Sequence, residues 1–538
     1  MAEVAVDERR LLKTIRWWDG FVIGLANPGF LLIGLWGSII ALGGTPAIIL
    51  WIISACIGAL QAYIYCEPAA MFPDKPGGLS VYAREGWRKH FSFAGPIAVF
   101  GYWFAWSSVL AIYGSLIGYL LIAEFGGDGY FATTTWDPPV IVALGWPQLI
   151  GVMCIVLCWA FNVRGMRPAV GLSYVVAGLM IIPIVVIAVG AFLTGDFSNH
   201  QIDSNFIAAN VEFYGDSPSG FNQFVMIMVW LYILGWSTYG PESGATFAPE
   251  YKDTASDTRK ALASVGAVNV VLAFLLPIAV IGTIGYDGLF NDVTGVVWLT
   301  DVVNSIAGEG FGKFLVVCLC GGLLLSMNTA TMDGSRALYA LSEEKMTIKQ
   351  LGVLNRHNVP GRAMTVDMLL NIFLLLYFGN IYFILAAGNL GYMLSHVIAL
   401  SGVLWLRRDR PNWPRPIKLA KPWMWLAGLF CAANALFIIF GLYGLKYTGY
   451  GFDYLSDEYA AFLAGEGPVP SATERVPEII AVGLLALAAG IIGYIIAQRQ
   501  WGKPVRWTDP SDEQPTQEAL DGAAAAGRPA TAAPATAR

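Results

Sequence analysis

Glu242 is the residue with the most chemistry to explain. It stands in the run Gly235-Trp236-Ser237-Thr238-Tyr239-Gly240-Pro241-Glu242-Ser243-Gly244, inside a long apolar segment. A carboxylate at such depth is expensive and by default marks a functional site. Three roles fit it: a proton carrier, a counter-ion to a cationic substrate, or both in alternation. It reads as the only ionisable residue well inside an apolar segment, with Asp19, Glu67, Lys313 and Asp367 at segment ends. A second run, Gly24-Leu25-Ala26-Asn27-Pro28-Gly29-Phe30, also sets a Pro between Gly and polar neighbours within an apolar segment. A membrane helix keeps its backbone bonded internally, so breaks of this kind persist where they line a cavity. Paired Gly/Pro-interrupted segments at matching positions point to a transport site near the bilayer midplane.

The composition requires the membrane that these breaks imply. Of 538 residues, 56% are hydrophobic and 13% charged, the mean hydropathy is +0.59, and the net charge is −6. Such a chain is too apolar for disorder and lacks the basic surface of a nucleic-acid binder. The seven Cys are an odd number without a CxxC, and His90, His200, His357 and His396 do not cluster. Neither a disulfide framework nor a zinc site is expected, and no metal or other cofactor. No GxxxxGK[ST] run supplies an ATP site, and with a single deep carboxylate no catalytic set is expected.

A bilayer span needs about 20 apolar residues. Twelve are read: Phe21–Leu42, Pro46–Cys66, Phe93–Ala123, Val140–Phe161, Ala169–Thr194, Phe221–Phe247, Ala261–Tyr286, Phe311–Met332, Ala363–Phe378, Tyr382–Leu406, Trp423–Leu445 and Pro477–Ala497. The ninth and tenth are divided at Gly379-Asn380, a turn-forming pair. With both chain ends cytoplasmic, only Lys313, Lys446 and Arg475 of the 32 Lys and Arg fall outside. That is the bias expected of a multi-pass protein of the plasma membrane. The broken spans are the first and the sixth, so each opens a five-helix unit, residues 19–194 and 221–406. Residues 423–497 add two helices, 1–18 form an N-terminal tail, and 502–538, rich in Ala, Pro and Thr, read as a disordered tail.

Four motifs lie in register with these spans. They are Glu67-Pro68-Ala69-Ala70-Met71-Phe72-Pro73 with Gly77-Gly78-Leu79-Ser80-Val81-Tyr82, then Asn162-Val163-Arg164-Gly165, Ser335-Arg336-Ala337-Leu338-Tyr339-Ala340-Leu341, and Asn355 to Pro360 with Ala363. Together they resemble the amino acid–polyamine–organocation superfamily of permeases, from about Trp17 to Trp405. The sixth span, with Trp236-Ser237, Gly240 and Glu242-Ser243, is most similar to the arginine/agmatine-type exchangers. The resemblance implies an all-α fold of twelve helices built as a 5+5 inverted repeat with helices 1 and 6 broken. It implies a secondary transporter of an amino acid or amine, proton-coupled or exchanging, with no enzymatic activity.

On that resemblance the substrate lies between the two breaks. The residues assigned to it are Ala26, Asn27, Pro28, Gly29 and Phe30, with Tyr102 and Trp106 on the third span and Trp236, Ser237, Tyr239 and Gly240 on the sixth. Trp236 closes over substrate and Glu242 couples to a proton or cation. Three departures bear on this. Pro28 replaces a residue whose N–H would meet a substrate carboxylate, and proline has none. Met180 stands where some proton-coupled relatives carry Lys. Ser326, Asn328 and Thr329 on the eighth span bear oxygens of the kind hard cations prefer, so a sodium-coupled neutral amino acid symporter stays open. A nutrient sensor retaining the transporter fold is the reading of another class. The outer loops are acidic, with Asp196, Asp203, Glu212 and Asp216 after the fifth span, and aromatic rings near the site attract ammonium groups. Oligomeric state is not indicated.

Overall fold

The computed structural model describes residues 11–127, 129–136, 144–195, 197–199, 202, 220–290, 298–378, 381–448, 475–509 and 514–527. The acidic loop residues Asp196, Asp203, Glu212 and Asp216 lie outside them. The principal helices are α1 (Trp17–Gly24), α2 (Asn27–Leu42), α3 (Gly44–Ile64), α4 (Cys66–Met71), α5 (Leu79–Trp87), α6 (Ala94–Phe125), α7 (Trp146–Val163), α8 (Met166–Val185), α9 (Phe221–Thr238), α10 (Ser243–Thr246), α11 (Thr254–Phe290), α12 (Trp298–Ala307), α13 (Glu309–Glu343), α14 (Gly361–Tyr377), α15 (Ile381–Asp409), α16 (Lys421–Gly444), α17 (Val476–Gln500) and α18 (Gln517–Ala525). Among the described residues the sheet content is one antiparallel pair, Thr135–Trp136 with Leu144–Gly145.

Among the described residues, ten helical segments are long and apolar enough to cross a bilayer. The other two expected spans have local explanations. The first is divided into α1 and α2, of 8 and 16 residues. The ninth is α14, whose 17 residues extend about 25 Å at 1.5 Å per residue, a little short of a hydrocarbon core of about 30 Å.

The two breaks differ. In the first, Leu25 and Ala26 keep right-handed helical dihedrals, and the interruption is a kink. Pro28, in the first turn of α2, has no N–H to return to the carbonyl of Gly24, so the ladder stops without the chain unwinding. In the sixth span the chain does unwind. Tyr239 is extended (φ −73°, ψ 171°) and Gly240 has φ +126°, a conformation that only glycine adopts without strain.

Lipid gives helices no hydrophobic reason to associate, so close backbone approach has to hold the bundle. α6 is its axis and packs against α13, α15, α7 and α17. A Cβ on Gly101 of α6 would lie 2.6 Å from the Gly391 carbonyl oxygen of α15, and one on Gly86 of α5 would lie 2.3 Å from the Gly402 Cα. These glycines let two helices touch along their main chains.

Of the C-terminal tail, residues 502–509 and 514–527 are described, and they make specific contacts. The Trp507 carbonyl accepts from the Ser92 N–H at 2.8 Å, and its ring packs 5.1 Å from Phe93. Asp509 pairs with the buried Arg88. α18 is capped by Thr516 and buries Ala519 and Ala523, while Glu518 binds Lys13 and the Thr254 hydroxyl. A few aromatic and charged side chains dock this segment, although its average composition is that of a linker.

Candidate functional site

A small void lies among Ala105, Trp106, Val109, Trp236, Tyr239 and Tyr392. Its volume is about 10 Å³, room for at most one water. The aromatic walls are closed on one another. Trp106 and Val109 come from α6, Trp236 and Tyr239 from the end of α9, and Tyr392 from α15. Trp236 meets Tyr113 edge-on, with centroids 6.2 Å apart. A larger cleft of about 910 Å³ opens elsewhere, between Phe72, Lys75, Pro249, Tyr339 and Glu518, on the face that carries both described chain ends. It is wide, rimmed by Lys75, Glu343, Glu344 and Glu518, and lies away from the unwound helix that holds Glu242, so the void is the stronger candidate.

Glu242 is buried one residue behind the void. Its Oε1 accepts from the Tyr392 hydroxyl at 2.5 Å and its Oε2 from the Gly240 N–H at 2.7 Å, and His396 Nε2 is 3.8 Å away. The carboxylate thus satisfies an amide that the broken helix leaves unbonded. Asn269 of α11 donates to the orphan carbonyl of Thr238 in the same way. The His396 Nδ1 contacts the Tyr65 hydroxyl at 3.0 Å, and Tyr239 donates to Asn434 at 2.9 Å.

Glu242 is not alone, which corrects the expectation drawn from the apolar runs. Asp333, Asp367 and His396 are all fully buried. Asp333 accepts from the Tyr102 hydroxyl at 2.7 Å, and Asp367 from the Trp103 indole at 2.7 Å. The eighth apolar run ends at Met332, but α13 continues to Glu343 and buries Asp333. Asp367 lies on the second turn of α14, inside the bundle instead of at its end. Tyr392 and His396, four residues apart on one face of α15, gave a spacing signal that the apolar count passed over.

The other expected site residues divide into three groups. Trp106, Trp236 and Tyr239 line the void, and Tyr102 and Gly240 stand directly behind it. Ser237 turns towards Gly34 of α2, since a Cβ there would lie 2.8 Å from its Oγ. Ala26 is buried beside Ser326, whereas the side chains of Asn27, Pro28, Gly29 and Phe30 lie outside the described residues. Met180 packs in a cluster with Ala26 and Leu325, leaving that position apolar.

Of the three oxygen-bearing residues of α13, two face the kink. Ser326 donates to the Ala26 carbonyl at 2.8 Å and Thr329 to the Ile23 carbonyl at 3.0 Å. Asn328 points away. It donates to the Ala169 carbonyl and the Ser173 hydroxyl and accepts from Asn162, fastening α13 to α7 and α8. The Asn162 and Asn355 motifs are structural as well, since Asn355 donates to the Val163 carbonyl at 2.7 Å.

Beneath the void, towards the face with both chain ends, the path is shut. Arg336 donates to both oxygens of Glu250 and to the Met332 carbonyl, and it lies over the Phe247 ring. The Glu250 carbonyl accepts from the N–H groups of Thr14 and Ile15, and Ile15 in turn accepts from Lys252. The N-terminal segment is thereby sewn to the loop after α10.

This arrangement of an unwound helix, an occluded aromatic void and a sealed floor is what a carrier needs and a channel does not. The sequence matches the amino acid permease family over residues 15–459. The chain belongs to that family. It is an integral membrane transporter of amino acids, not an enzyme. Among characterised proteins it is similar to an arginine/ornithine antiporter of Lactococcus lactis, 24% identical over 381 residues, covering 67% of this chain and 71% of that protein. A second arginine/ornithine antiporter of the same organism is 25% identical over 376 residues, covering 66% of each. Solute carrier family 7 member 12 of Mus musculus is 28% identical over 153 residues, 28% of this chain and 30% of that protein.

Proposed function

We infer that this transporter exchanges cationic amino acids, with arginine and ornithine as the first substrates to test, and that Glu242 couples the exchange to a proton. The observation that carries the reading is Glu242 itself. It is buried in the unwound helix, one tyrosine behind an aromatic void, and among the described residues its nearest potential cation is His396 at 3.8 Å. An incoming cation and a proton compete for such a carboxylate. The aromatic walls suit an ammonium or guanidinium group. Opening of Trp236 away from the void admits substrate, and release of the Arg336–Glu250 pair lets it leave towards the other face. The proposed units are residues 19–194 and 221–406 as paired repeats with 423–497 appended. The basic face with both chain ends is cytoplasmic, and the membrane is the plasma membrane.

Proton coupling is preferred to sodium. Its support is the buried Glu242 carboxyl, while the Ser326 and Thr329 hydroxyls and the two kink carbonyls they meet are the oxygens that keep sodium as the alternative to be tested. The test is uptake of labelled arginine into proteoliposomes preloaded with ornithine, in sodium and in choline medium. The expected result is uptake that needs internal ornithine and is indifferent to sodium. No exchange of any cationic or neutral amino acid or amine overturns the reading, and a strict sodium requirement overturns the choice of ion. In Glu242→Gln, the dependence of exchange on pH should weaken.

A further inference from the structure

Of the three acidic residues with no exposed surface among the described residues, Glu242, Asp333 and Asp367, the exchange reading uses one. Asp333 has a geometry that parallels Glu242. Each is held by a tyrosine: Tyr392 of α15, in the void wall, donates to Glu242, and Tyr102 of α6, behind that wall, donates to Asp333. The two rings are neighbours, 6.0 Å apart, and Tyr102 is 6.2 Å from Trp106 in the void wall. Asp333 is fully buried and forms no ion pair among the described residues. Its Oδ2 accepts a hydrogen bond from the Tyr102 hydroxyl, while its Oδ1 has no well-formed hydrogen bond, with the Thr246 hydroxyl nearby. One turn further along α13 is Arg336, the cation that shuts the floor.

The groups around Asp333 can be stated element by element. α6 presents Tyr102, and the unwound helix presents Glu242 and the Thr246 hydroxyl. α14 presents Asp367, which is held by Trp103. α15 presents Tyr392. α13 itself presents Arg336, whose guanidinium is committed to Glu250, and α8 meets that guanidinium with the apolar Met166. Among the described residues, Glu242, Asp333 and Asp367 are therefore neighbours, and the guanidinium closest to them is paired with a fourth acid, Glu250.

We propose that Asp333 is a second proton-coupling residue, a positioning residue that links the substrate void through Tyr102 to the Arg336–Glu250 floor. This rests on the exchange reading above. A proton on Asp333 occupies Oδ1, the oxygen that Tyr102 leaves free. Its loss to water, when the site is open, leaves a carboxylate one turn from Arg336. That carboxylate competes with Glu250 for the guanidinium and loosens the floor. Re-protonation removes the competitor and lets the floor close.

The test is arginine exchange in proteoliposomes at equal pH on both sides, from pH 5 to 8, for the wild type, Glu242→Gln, Asp333→Asn, Asp333→Glu and the double variant Glu242→Gln/Asp333→Asn. Glu242→Gln should keep a residual change of about threefold across the range, and the double variant should be flat. Asp333→Glu should retain pH dependence with a displaced midpoint. A double variant as pH-dependent as Glu242→Gln, an unmoved midpoint in Asp333→Glu, or a flat wild-type profile each overturns the proposal. If Asp333→Asn does not fold, the Asp333→Glu midpoint decides. Absence of exchange by the wild type is a different failure, because it removes the substrate reading before any pH comparison is made.

Discussion

Breaking the Arg336–Glu250 pair should open the floor of the transporter. Both side chains are almost completely buried, at 1% and 2% exposure, and Arg336 grips both carboxylate oxygens. Glu250→Gln leaves a buried guanidinium without its counter-charge, at a cost of about 3–5 kcal/mol. The backbone bonds from Thr14 and Ile15 to the Glu250 carbonyl survive that substitution, but each contributes only about 0.5–1.5 kcal/mol. The ion pair therefore dominates the seam. If the cost falls wholly on the closed state, the closed-to-open ratio drops by roughly a hundredfold to a few thousandfold. Replacing both partners, Glu250→Leu with Arg336→Met, removes both charges and should restore closure almost fully. The assay is the thermal midpoint of the purified protein, with the half-saturating arginine concentration measured from each side of sealed proteoliposomes. The single variant should melt earlier and bind more tightly from the basic face, and the double variant should revert towards wild type. A double variant worse than the single one, or a single variant with wild-type melting and side preference, refutes the reasoning.

Two further outcomes follow from the geometry. Trp236→Ala removes a wall of a void that now holds at most one water, so the half-saturating substrate concentration should rise several-fold with little loss of folded protein; an unchanged value would make Trp236 a packing residue. On the basic face, burial pushes the Glu85 carboxyl up, but Arg84, Lys75, Arg410 and Arg88 outweigh it and hold it well below its ordinary value of 4.5. A depressed value means that its stabilisation is complete above the ordinary value and fades as pH falls below it. Glu85→Gln should thus lower the thermal midpoint at pH 7 and converge on the wild type at strongly acidic pH, and a constant difference across pH would contradict this.

Much of this fold was legible in the chain. Apolar length alone placed the spans, because a bilayer filters for it, and Glu242 stood out because a charge in that setting needs a reason. The two breaks looked alike in sequence but differ in space. Pro28 merely stops a ladder, whereas Gly240 permits a left-handed residue that lets the helix unwind. Asp333 was passed over because hydropathy ends a span at the first acid, and α13 does not. Asn328 sat beside Ser326 and Thr329 in sequence, but 3.6 residues per turn sends it to the opposite side of the helix. In the described part of the tail, docking depends on a few residues, Trp507, Asp509 and Glu518, that an average over composition hides.

The glycine contacts between helices bear on how this transporter can change. Where Gly101 meets Gly391 and Gly86 meets Gly402, no side chain fits between the helices. Side chains at these positions would force α5, α6 and α15 apart, so a changed packing of the three should cost stability. Selection for a new substrate has little room to reshape the site by shifting these helices. It has to exchange side chains at the void, such as Ala105 or Val109, or retune the hinge at Gly240. Substrate range in this lineage should then vary by small steps in a few positions, while the packing of these helices stays fixed across many specificities.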